Sequence, residues 1–177
     1  ETINAFNIYG GLVSSGTITG STGALTIVNN SSIDLLGTNA GGTASGAGGS
    51  AGPVTLGGTL VLGGVTPRIL TVSDLFGLND INMPAVLGPS AVNFQKDGAG
   101  RLSLSGNSSS YSGSITLTNG ETVVQHANAL GNATGNTTVS PPVNINVSLL
   151  IDGVSLSEPL VLNTGGFGAQ GVLRNIS

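Results

Sequence analysis

The sequence predicts an all-β fold wound as a parallel β-helix, a β-solenoid, and three observations lead there. Apolar and polar residues alternate in many very short runs, so each run puts one face inward and one outward. Glycine numbers 30 in 177 residues and recurs at the chain reversals. Inside regular structure each glycine costs roughly 0.5–1 kcal/mol relative to alanine, so such a supply fits tight corners repeated after every strand. Aromatic residues make up only 3%, and the small aliphatics that remain suit a narrow tube filled by stacked Leu, Ile and Val layers. Strands this short need similar neighbours above and below to bury their apolar face.

Taken in order, the strand-like runs are Leu25/Ile27, Ile33/Leu35, Val54/Leu56, Leu60/Leu62, Ile69 to Val72, Val92/Phe94, Leu102/Leu104, Ile115/Leu117, Val143/Ile145/Val147, Leu149/Ile151, Leu160/Leu162 and Val172/Leu173. Gly, Asn or Ser bounds most of them, as strand ends require. The tripeptides Thr17-Ile18-Thr19 and Thr116-Leu117-Thr118 have the look of strand exteriors. An antiparallel sandwich also has short strands, but its hairpin dipeptides are sparse here: Asp97-Gly98, Asn119-Gly120 and Asp152-Gly153. Asparagines and serines at corners are expected to stack on their equivalents in the next coil and ladder their amides and hydroxyls along the axis. The segment 37–53 is almost wholly Gly, Ala, Ser and Thr and reads as a loop leaving one coil, with a linker as the alternative. The stretch 74–89 carries Leu75, Phe76, Leu78, Ile81 and Met83 and reads as a packed excursion or a short helical turn against the tube wall. The chain is therefore expected to be a single solenoid segment over 1–177.

Composition excludes several classes. A mean hydropathy of +0.33 and a net charge of only -4 do not belong to a disordered tail, and no window has the 3.6-residue period of an amphipathic helix. The four basic residues, Arg68, Lys96, Arg101 and Arg174, cannot neutralise a run of phosphates, so no nucleic-acid partner is expected. No apolar run approaches the roughly 18–20 residues of a helical membrane span. Cysteine is absent, which removes disulfides and thiolate metal sites. Glu1 is no initiator Met, so the expectation is a processed or excised segment whose export signal lies elsewhere.

Between Lys96 and Gly131 the residues carry a more specific pattern: Lys96, Gly98, Gly100, Leu102, Leu104, Ser105 and Gly106, then Tyr111-Ser112-Gly113, Gly120 and Ala129-Leu130-Gly131. This stretch resembles the passenger-associated, or autotransporter-associated, β-strand repeat of secreted bacterial proteins. Residues 68–72, 158–163 and 171–177 look like neighbouring coils of the same repeat, so the resemblance covers about the C-terminal two thirds. Two departures stand out: a longer bend between Gly106 and Tyr111, and Glu121 where a small residue is more usual. The resemblance implies a right-handed β-helix, export across the cell envelope and display on the surface. It implies no chemistry, since the repeat is a scaffold.

No catalytic, cofactor-binding or metal-ligating residue is expected. His126 is the one histidine, and with only Glu121 close in sequence it reads as a polar corner residue. The acidic residues Glu1, Asp34, Asp74, Asp80, Asp97, Glu121, Asp152 and Glu158 are scattered singly, without the clusters of calcium loops. Gly10-Gly11, Gly41-Gly42, Gly57-Gly58 and Gly63-Gly64 lack the Lys-Ser/Thr of a phosphate loop and read as turns. The expected function is an extracellular structural scaffold, a surface stalk or fibre subunit, non-enzymatic and without cofactors, with adhesion as a further output. Expected partners are further coils or copies stacked end to end, and surface glycans or ligands on host or neighbouring cells. The alternative is a carbohydrate-binding or polysaccharide-degrading β-helix, for which two tyrosines and four phenylalanines are a poor supply of stacking rings.

Overall fold

A computed structural model describes five strands before residue 37, and residues 54–177 apart from 66, 73, 75–78 and 167–169, with side chains described from Leu56 onward. Within them the chain is all strand and turn, with no helix. It winds by laying one strand in each of three sheets before starting the next coil. Thr2–Ile3 (β1), Phe6–Tyr9 (β2) and Thr17–Ile18 (β3) begin sheets A, B and C. Ala24–Ile27 (β4), Ser32–Leu36 (β5) and Val54–Leu56 (β6) follow, then Thr59–Leu62 (β7), Arg68–Val72 (β8) and Ile81–Met83 (β9), then Val86–Leu87 (β10), Phe94–Asp97 (β11) and Leu102–Leu104 (β12). Later coils contribute to sheets B and C alone: Ile115–Leu117 (β13) with Gly120–Val124 (β14), Thr137–Val139 (β15) with Val147–Ile151 (β16), and Leu160–Leu162 (β17) with Leu173–Asn175 (β18). Every strand pairing is parallel. This is the stacked solenoid that the short alternating runs predict.

Register explains the core. In sheet B one inward column runs Leu70, Lys96, Leu117, Val139, Leu162, and its neighbour runs Arg68, Phe94, Ile115, Thr137, Leu160. In sheet C the columns are Ile81, Leu102, Thr122, Leu149, Leu173 and Met83, Leu104, Val124, Ile151, Asn175. The aliphatic members of these columns in the middle coils are buried in one continuous cluster, each worth roughly 1.5–3 kcal/mol of burial. The three Asx-Gly dipeptides do not make hairpins. Gly98, Gly120 and Gly153 take positive φ (81°, 69° and 67°) and turn the chain out of one sheet, Gly98 and Gly120 from sheet B into sheet C.

Where sheet A stops, stacked corners take over. Ser108 Oγ accepts the Leu87 amide at 3.0 Å, which satisfies the edge of β10. Above it the Ser108 amide donates to Asn128 O at 3.1 Å, and Asn132 N to Tyr111 O at 2.9 Å. The Tyr-Ser-Gly and Ala-Leu-Gly motifs acquire a physical meaning here. Tyr111 is fully buried and its hydroxyl donates to Val92 O at 2.7 Å. A Cβ on Gly113 would sit 2.5 Å from that hydroxyl, and one on Gly131, a coil later, 3.0 Å from the Tyr111 ring. Both glycines are the room that one tyrosine needs. The expected amide ladder is present at this corner, with Asn128 Nδ2 donating to Asn107 Oδ1 at 3.1 Å.

Two sequence expectations need correction. Val143 and Ile145 belong to no strand: Pro141 and Pro142 withhold ladder donors, Asn144 adopts a left-handed φ of 63°, and Val143 is 88% exposed in the resulting loop. Within 74–89, β9 and β10 occupy Ile81–Met83 and Val86–Leu87, where a packed excursion or a helical turn was expected. Residues 75–78 lie outside the described residues, as does the Gly-rich segment 37–53, which joins β5 to β6.

Gly113→Ala is expected to lower stability by about 1–3 kcal/mol through this overpacking. Gly165→Ala, where a Cβ meets nothing within 4 Å, should leave it nearly unchanged. Urea unfolding of the two variants checks the contrast.

Candidate functional site

The chain has few charges, and among the described residues the fold gathers Lys96, Asp80, Arg101, Glu121 and Arg174 at the boundary of sheets B and C. Lys96 lies on the inward column of β11, fully buried. Its ammonium donates to the carbonyls of Gly98 (2.6 Å), Gly100 (2.6 Å) and Asn119 (2.5 Å), using all three of its N–H bonds. Burial holds its pKa down to about 8, against the attraction of Asp97, Asp80 and Glu121. At neutral pH it is still an ammonium. It ties the corner of its own coil, residues 98–100, to the corner of the next, at Asn119.

Outside the same corner, Arg101 begins the approach to β12. Its amide donates to Asp80 Oδ2 at 2.6 Å, and its guanidinium grips Glu121 Oε2 through Nε at 2.8 Å and through Nη2. Glu121 Oε1 accepts Arg174 Nη1 at 3.1 Å. Arg174 stands on β18 and Glu121 on β14, with β16 between them. The register partner of Arg174 on β16 is Leu150 and that of Glu121 is Ser148, so the Arg174 side chain reaches Glu121 diagonally across β16. Leu150 and its partner Val123 point away from the core, yet both are buried. On their other flank Ser103 Oγ donates to Gln125 Oε1 at 2.7 Å and Gln125 Nε2 to Asp152 Oδ2 at 2.9 Å. Long polar side chains linked from coil to coil thus border an aliphatic strip on the outer wall. Glu121, which departs from the repeat pattern, sits here because two arginines converge on it.

Of the remaining titratable groups Asp74 is exposed, and Arg68, Asp97, His126 and Glu158 are engaged locally. Arg68 is fully buried on the inward column of β8 and donates from Nε to Gly63 O at 2.9 Å. Asp97 Oδ1 accepts the Gly98 amide at 2.7 Å. His126 Nδ1 accepts the Asn128 amide at 3.1 Å, inside a corner turn. Glu158 is buried, with Oε1 accepting the Thr137 hydroxyl at 2.9 Å. Among the described residues no three of His, Asp and Glu come together as a metal site would need. Glu1 and the side chain of Asp34 lie outside the described residues.

Chemically, this lattice fastens coil to coil. Its carboxylates accept from guanidinium, amide or hydroxyl groups, and its buried cations donate to carbonyls. The sequence carries the residue types but not their juxtaposition: Glu121 and Arg174 are 53 residues apart, and only the coil register brings them together. Compared with known protein families, curated proteins and solved structures, the chain has no match.

Lys96→Met should cost at least about 2 kcal/mol, because one buried and two partly buried carbonyls lose their donor. Arg174→Met, at the half-open end of the lattice, should cost about 1 kcal/mol or less. Equilibrium denaturation of both variants provides the check.

Proposed function

We propose that this chain is a structural solenoid segment of an exported bacterial protein, acting as a stalk or fibre element whose task is to hold a long axis together. The observation that carries the reading is the unbroken parallel stacking of sheets B and C, seven strands each, with polar ties running coil to coil in the same direction. A lattice whose charged groups already grip one another favours cohesion over turnover, so the reading is non-enzymatic and calls for no cofactor. Export and surface display rest on the resemblance of residues 96–131 to the passenger-associated repeat. Adhesion, to glycans or to ligands on other cells, would be the business of the loops and not of the coil walls.

The reading also gives the last coil a part. Strands β17 and β18 are paired along one edge only, and their inward residues Leu162 and Leu173 are 39% and 44% exposed. Their column partners Val139 and Leu149 are fully buried. An open edge with an uncovered apolar column is a template for another strand. In the proposed role a further coil, from the same polypeptide or from a second copy, covers it.

Electron microscopy with analytical ultracentrifugation tests this. The chain is expected to form elongated particles that associate as concentration rises, and Leu162→Glu with Leu173→Glu to weaken association at least about tenfold by placing charges on the edge. Dispersed monomers at every concentration, unaffected by the two substitutions, would contradict the proposal.

A further inference from the structure

Strand β17 is lightly held. It pairs with β15 alone, none of its three residues is fully buried, and its flanking backbone bonds are Thr137 N to Pro159 O and Asn163 N to Val139 O. Yet the chain enters it through a buried carboxyl, that of Glu158, only 8% exposed. Oε1 accepts from Thr137 Oγ1, while Oε2 is buried with no hydrogen-bond partner. Tyr111 faces the same carboxyl from a preceding corner, but its hydroxyl already donates to Val92 O. The cations are engaged elsewhere: Arg101 and Arg174 on Glu121, Lys96 on three carbonyls, Arg68 on Gly63. A negative charge at this place would have one hydroxyl donor and no counter-ion.

We propose that Glu158 is a proton-operated latch on β17: neutral, its carboxyl seats the strand against β15, and ionised, it loosens the strand and gives the proton to solvent. The driving force is the penalty for burying a charge without enough donors. Among the described residues, Tyr111 is the titratable group that faces this pair, its own hydroxyl held up by burial and then by the Glu158 carboxylate, and Thr137, which does not titrate, is the partner from β15. Burial raises the Glu158 carboxyl from 4.5 to about 7, the Thr137 hydroxyl opposing the rise. An acid raised in the folded state gives its full contribution below pH 4.5, and that contribution disappears as pH climbs through about 7. With β17 paired on one edge only, the strand would therefore be closed in acid surroundings and open towards alkaline ones.

Amide hydrogen exchange, corrected for the intrinsic rate at each pH, tests the latch. Protection at Val161 and Asn163, the β17 amides directed at β15, should fall by at least about tenfold, relative to β13, as pH rises from 4.5 to beyond 7. Glu158→Gln should abolish that dependence. Thr137→Val, which removes the one donor to the ionised form, should move the midpoint to higher pH. Protection of β17 that tracks β13 across the range, a fall of the same size in Glu158→Gln, or a midpoint unmoved in Thr137→Val would overturn the proposal.

Discussion

Parallel register is the constraint on which everything else depends. When each coil lies directly on the last, about 4.8 Å away, a side chain at a given place in a strand meets its equivalent above and below, and columns form. A column of Leu and Val is dry, and its members cover one another. A single slip of one residue would turn each inward column out to solvent and destroy the core of that coil. The corners are where register is enforced, because the strands themselves are too short to hold it. Lys96 grips carbonyls from two successive corners, and the Tyr111 ring lies beside Gly131 of the next.

The polar groups inside the tube follow from the same geometry. A column position is buried whatever residue occupies it, so a polar side chain there must find partners within its own or the adjacent coil. Lys96 finds three carbonyls because the chain bends around it twice. Arg68 finds Gly63 at the preceding bend. Glu158 finds only Thr137, because its other oxygen faces no donor. On the outer wall the same columns put Arg101 opposite Glu121 and bring Arg174 within reach across one strand, so charges remote in sequence become neighbours.

Much of this architecture is legible in the sequence, and the legible part is local. Leu102/Leu104 and Ile115/Leu117 announce β12 and β13 because alternation is a property of a few consecutive residues. The Tyr111-Ser112-Gly113 motif marks a bend in the sequence, and its packing of Tyr111 against Gly113 emerges only in the structure. What the sequence conceals is long-range or backbone-driven. Ile81–Met83 looks like part of an irregular apolar stretch, and only pairing with Leu102–Leu104 makes it a strand. Val143 and Ile145 alternate correctly yet form none, since two prolines and a left-handed asparagine intervene. Thr137–Val139 lacks a convincing apolar pattern because Thr137 takes an inward place to meet Glu158. The charged lattice was not readable, because it needs the register of four coils.

The most direct test of in-register parallel stacking exploits the absence of cysteine. Thr116 and Thr138 are register partners on the outward face of β13 and β15, at a spacing of about 4.8 Å that lies within disulfide range of roughly 4.4–6.8 Å. Thr116 and Val161 are two strands apart on the same column, about twice that distance. Oxidation of Thr116→Cys with Thr138→Cys should close an intramolecular disulfide in the folded chain, while Thr116→Cys with Val161→Cys should leave both thiols free. Failure of the first pair to close, or closure of the second as readily as the first, would contradict the stacked-coil account.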